Sequence, residues 1–106
     1  MKINILGTEY ELRKTTNRED PVLNGKAGYC DEFSKVISLE QDFNENDQDA
    51  IQNFDRYKRK VARHEIVHAF LAESGLKDYC EDETITDWIA WQFPKMLDVF
   101  TEVNAI

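Results

Sequence analysis

The sequence predicts an α+β fold in which a small N-terminal β-sheet packs on one long helix and a second helix follows. Three observations carry this. In the first 40 residues Ile3, Ile5, Tyr10 and Leu12 alternate with polar positions, the period of a half-buried strand. From about 48 to 74 the apolar residues recur at steps of three and four, the period of an amphipathic helix. A third stretch, opening on acidic residues at 81–83, carries Trp88, Ile89 and Trp91. At 106 residues, the chain is expected to form one domain over positions 1–106.

In chain order, the first two runs are expected to pair as a hairpin around Gly7-Thr8. Residues 14–27 carry Pro21, Asn24 and Gly25 and read as a loop. Residues 29–39 read as one or two strands, entered at Gly28, with alternation imperfect because Val36 and Ile37 are consecutive. Residues 41–49 form a polar break in which Asn46 and Asp47 are candidate helix N-caps. The helix that follows is expected to place Phe54, Tyr57, Val61, His64, His68 and Leu71 on one face, with Arg56, Arg59, Lys60 and Arg63 as a solvated flank. Gly75 after Ser74 is a helix stop. A second helix begins near Asp82 or Glu83, and Pro94 is expected to break or kink it, leaving a final helix from Lys95 to about Val103. Trp88 and Trp91, at i and i+3, are expected in the core rather than as a substrate platform.

Thirteen Lys and Arg stand against 21 Asp and Glu, a net charge of -8. Such a balance disfavours nucleic acid, whose binding needs a basic face to displace counterions, and anionic membrane surfaces. The opening apolar stretch is too short for a secretory leader, and no run approaches the roughly 20 apolar residues of a membrane span. A cytoplasmic location is therefore expected. There Cys30 and Cys80 would be reduced and structural.

The segment His64-Glu65-Ile66-Val67-His68 carries the chemistry, and it holds the only 2 His of the chain. Two His at i and i+4 on a helix point the same way, one turn apart, and can grip one Zn2+. A Glu directly after the first His projects about 100° round the helix, beside the metal, where it can take a proton from metal-bound water. With no third His, the third ligand must be Asp, Glu or Cys. Glu83, at the start of the second helix, is favoured, with Glu81, Asp82 and Cys80 as alternatives. Asp87, four residues on, shares the face of Glu83 and is placed to accept a hydrogen bond from a ligating His. Glu73 lies on the motif helix but points elsewhere.

His64-Glu65-Ile66-Val67-His68-Ala69-Phe70-Leu71, followed by Glu83-Thr84-Ile85-Thr86-Asp87-Trp88-Ile89-Ala90 and Phe93-Pro94, resembles the minimal zincin metallopeptidases of phages and mobile elements of Gram-positive bacteria, with the ImmA/IrrE-type peptidases as the nearest well-known relatives. The resemblance covers about residues 28–95. It departs from the family pattern at Thr86, where Ala is usual, and at Ile89, where Phe is usual. It implies a minimal zincin-like fold, with Glu83 as third zinc ligand and Asp87 at the family's Asn/Asp position. It also implies zinc-dependent hydrolysis of a protein or peptide substrate, with Glu65 as general base. A strand edge beside the motif helix would take the substrate as an added strand. Val36 to Leu39 is the candidate edge, with Gly28 to Asp31 lining the cleft and Tyr29 or Tyr79 as candidate oxyanion stabilisers. The alternatives are a zincin-like protein of phage origin that binds without cleaving, or that works only with a separate regulatory partner, and a metal-free regulatory protein acting through its acidic surface.

Overall fold

The computed structural model describes residues 1–43 and 53–106. It is a small α+β domain with a four-stranded sheet and three α-helices. The strands are β1 (Lys2–Ile5), β2 (Thr8–Thr15), β3 (Gly28–Asp31) and β4 (Val36–Glu40). The helices are α1 (Phe54–Glu73), the one-turn α2 (Lys77–Cys80) and α3 (Glu83–Glu102).

The β1–β2 turn falls on Leu6 and Gly7, with φ of 52° and 93°, one residue before the predicted position. Two consecutive positive φ angles make a tight hairpin turn, a conformation that Gly adopts without strain. The Asn4 side chain caps it by accepting the Gly7 N–H at 2.8 Å. β2 runs on to Thr15, so the start of the expected loop is strand. The rest of that loop holds a 3-10 turn at Pro21–Leu23, N-capped by Asp20.

The sheet order is β1-β2-β4-β3, with β2 and β4 parallel and the other two pairs antiparallel. This corrects the candidate substrate edge. Val36 to Leu39 lies in the interior strand β4, and β3 forms the edge. The cause is visible in burial: all of Ile37 to Glu40 is buried. Ile37 and Leu39 join Ile5, Tyr10, Val61 and Ala69 in the core against α1. Ser38, on the alternate face, donates its hydroxyl to Asp20 at 2.8 Å. A strand covered on both faces reads as a near-continuous buried run rather than a strict alternation.

Asn53 caps α1 by accepting the Arg56 N–H at 3.2 Å. The candidate caps Asn46 and Asp47 lie outside the described residues. Gly75, at φ 82°, follows the helix end, as expected. The buried line of α1 is Val61, Glu65 and Ala69, which shifts the core face round the helix from the predicted one. His64 and His68 flank that line, between the sheet and α3.

Pro94 does not break α3, and the expected separate final helix is the second half of α3. Pro94 has no N–H for the carbonyl of Ala90, four residues earlier. Arg63 of α1 supplies the missing donor: its Nε–H bonds to the Ala90 carbonyl at 2.7 Å. Arg63 is thus a half-buried tie between helices, not part of a solvated flank. Trp88 and Trp91 are not in the core either, being 57% and 56% exposed. α3 buries the small residues Thr86 and Ala90 instead. Among the described residues no helix is long and apolar enough to cross a membrane.

Candidate metal centre

α1 and α3 bring His64, His68 and Glu83 together. One ligating atom from each lies within 4.8 Å of the others. His64 Nε2 stands 2.8 Å from one Glu83 oxygen, His68 Nε2 stands 3.1 Å from the other, and the two Nε2 atoms are 3.2 Å apart. The i, i+4 spacing sets the histidines one turn apart, and the N-cap of α3 places the Glu. Asp82 accepts the N–H groups of Thr84 and Ile85 at 3.0 and 3.1 Å, which starts the helix so that Glu83 occupies its first turn.

The other ring nitrogens fix the tautomers. His68 Nδ1 bonds to the backbone carbonyl of Cys80. A carbonyl oxygen only accepts, so this Nδ1 carries the proton. His64 Nδ1 lies 3.0 Å from Asp87 Oδ1, where an ionised carboxylate again requires a donor. Burial raises the Asp87 carboxyl, but the hydrogen bond and charge of Lys60 and then of His64 outweigh it and hold the group below its ordinary value. Neutral rings with Nδ1–H present both Nε2 lone pairs to the Glu83 carboxylate. Three electron-pair donors facing one another repel, unless both rings become imidazolium side by side or one cation takes the centre. The observed separations of 2.8 to 3.2 Å are close to the roughly 3.3 Å between tetrahedral ligands of zinc at about 2.0–2.1 Å. The residues present therefore fit a zinc ion.

Glu65 is 8% exposed and lies beside the histidines on the wall of a cleft of about 610 Å3 that also includes β3. Burial pushes its carboxyl up to about 7. His68 opposes that rise and Glu83 adds to it. Gly28 makes the close approach possible. A Cβ there would stand 3.0 Å from the Ser38 carbonyl oxygen and 3.2 Å from both Glu65 Cγ and Val61 Cγ1.

The alternative ligands fall elsewhere. Asp82 is spent on capping. Cys80 Sγ lies 3.6 Å from a Glu32 oxygen, and both cysteines are free. Glu81 lines the cleft but stands outside the cluster. Glu73 points away, accepting from Thr8, Tyr10 and Lys35 at 2.9, 2.7 and 2.6 Å. Tyr29 lines the cleft, but its hydroxyl donates to Asp20 at 2.6 Å. Tyr79 is 48% exposed and does not line the cleft.

Two contributors escape the sequence reading. Lys60, assigned to a solvated stripe, pairs with Asp87; its position four residues before His64 was the available signal. The Cys80 carbonyl has none, because a backbone group leaves no trace in residue identity. Gly28 to Asp31, the expected cleft lining, do line it. No family model, curated protein or solved structure matches the chain.

Proposed function

We propose that the protein is a zinc-dependent peptidase with a zincin arrangement, in which His64, His68 and Glu83 hold the metal. The observation that carries this reading is the convergence of both Nε2 atoms on the Glu83 carboxylate, with each Nδ1 tied to an acceptor. That outward-tied, inward-facing pattern is typical of metal-ligating His. When bound, zinc polarises a peptide carbonyl and lowers the pKa of a water to roughly 7.

The chain supplies the rest. Asp87 and the Cys80 carbonyl orient the two rings. Glu65 sits on the cleft wall, and its carboxylate makes no hydrogen bond among the described residues, so it is available to take the water's proton and pass it to the departing amine. A carboxylate at that place can accept a proton and release it again. The edge strand β3 lines the same cleft and offers its unpaired side to an extended peptide.

Elemental analysis of protein purified without an affinity tag tests the metal. About one zinc per chain is expected, lost or weakened in His64→Ala and Glu83→Ala. Zinc lost in the first variant but kept in the second moves the third ligand to another residue. No zinc after incubation with the metal removes the reading. Cleavage is tested on a mixed peptide library read by mass spectrometry. Glu65→Gln should keep zinc and lose roughly 10²–10⁴ in rate. Unchanged cleavage in that variant refutes Glu65 as base. Zinc binding with no cleavage by the parent protein supports a binding role.

A further inference from the structure

On α3 lies a second recess of about 530 Å3, lined by Thr84, Asp87, Trp88, Trp91 and Gln92 together with His64 and Glu83. His64 and Glu83 line both this recess and the cleft, so the two meet at the metal centre. A peptide with its scissile carbonyl there has both the cleft and this shelf beside it. The shelf's chief apolar surface is two tryptophans at i and i+3, both more than half exposed. Exposing two such rings forgoes a large burial gain, which a ligand would recover.

The charges beside the shelf are already committed. Asp87 is engaged by His64 Nδ1 and Lys60. The Lys60 ammonium also lies 5.3 Å from the Trp91 ring centroid, which holds the ring and repels a second cation. What remains is a neutral aromatic surface with an amide, Gln92, and a hydroxyl, Thr84, at its rim.

We propose that the Trp88–Trp91 shelf is a specificity subsite that takes a large neutral side chain, aromatic or long aliphatic, from the residue next to the scissile bond. This rests on the peptidase reading above and adds a substrate class to it. Ring stacking and apolar burial supply the selectivity, so alanine at that position is bound less well.

The chain has only 2 Trp, so its tryptophan fluorescence reports on this shelf alone. Zinc-loaded full-length protein is titrated with acetyl-phenylalanine hydroxamate and with acetyl-alanine hydroxamate, following fluorescence and calorimetry, with zinc content measured in parallel. The phenylalanine probe should bind about tenfold tighter and shift the emission, and the alanine probe should shift it little. In Trp88→Ala and Trp91→Ala the preference should fall towards one, with zinc and alanine-probe affinity retained. Trp88→Phe should keep most of the preference. Equal binding of the two probes, or a preference that survives both alanine variants, overturns the subsite while leaving the metal centre intact. Protein that takes up no zinc overturns the metal centre and the subsite with it.

Discussion

At the residue scale the proposed centre would depend on groups outside its three ligands. Asp87 illustrates this. Its carboxylate accepts the His64 Nδ1 proton at 3.0 Å and is itself anchored by Lys60. Removing its charge leaves the side chain's size and position but weakens the pull that keeps His64 in the Nδ1–H tautomer. Asp87→Asn should therefore lower zinc affinity by about 10–100-fold, the usual range for such outer partners, with little change in fold. A competition titration against a chromophoric chelator measures this. An affinity equal to the parent's would show that α1 alone fixes the ring. That His64 and His68 share one face, and Glu83 and Asp87 another, was legible in the sequence because side-chain spacing on a helix is a local property; that the two faces meet is a long-range contact between α1 and α3. The Cys80 carbonyl was not legible, since its role depends on where a one-turn helix happens to end.

At the element scale the sequence is less explicit. Strand periods say which positions are covered but not which strand lies beside which. The interior place of β4 follows from the parallel pairing of Glu11 to Thr15 with Val36 to Glu40, a non-local contact that Val36 and Ile37 signal only through their broken alternation. The continuity of α3 through Pro94 likewise depends on Arg63, 27 residues from the carbonyl that it satisfies. Glu73 is the clearest tie between elements. It stands at the end of α1 and binds Thr8 and Tyr10 of β2 and Lys35 before β4. The Lys35, Tyr10 and Thr8 hydrogen bonds, in that order, draw its carboxyl from 4.5 down to about 2. A folded-state pKa below the unfolded one means that the stabilisation is complete above about 4.5 and is lost as the pH falls through about 2. Glu73→Gln should lower the Tm at pH 6 and reduce its fall between pH 4.5 and 2. Thermal melts across that range measure both. A variant that loses as much Tm over the acid range as the parent would show that other carboxylates govern acid unfolding.

At the scale of the whole molecule the proposed metal centre would also be a structural joint. His64 and His68 come from α1 and Glu83 from α3, while the Cys80 carbonyl belongs to the turn between them. On its other side α1 carries the sheet. A cation held by all three ligands thus pins α3 to the rest of the domain. Its contribution adds to those of the Arg63–Ala90 hydrogen bond and the Lys60–Asp87 pair. In the unfolded chain the two histidines stay near each other in sequence but the carboxylate is no longer held beside them, so zinc bound by all three would favour the folded state. At free zinc about 100 times Kd, that linkage contributes roughly 2.7 kcal/mol. For a domain of this size each kcal/mol shifts Tm by about 4–8 °C, so zinc should raise the parent's Tm by about 10–20 °C. The rise should continue with the logarithm of free zinc, and a chelator should reverse it. His64→Ala and Glu83→Ala should melt at nearly the same temperature with and without the metal. Glu65→Gln should respond as the parent does, because Glu65 lies beside the centre without holding it. A parent protein whose Tm ignores zinc would mean that the three side chains converge without forming a joint. The same zinc response in Glu83→Ala would confine the metal to α1.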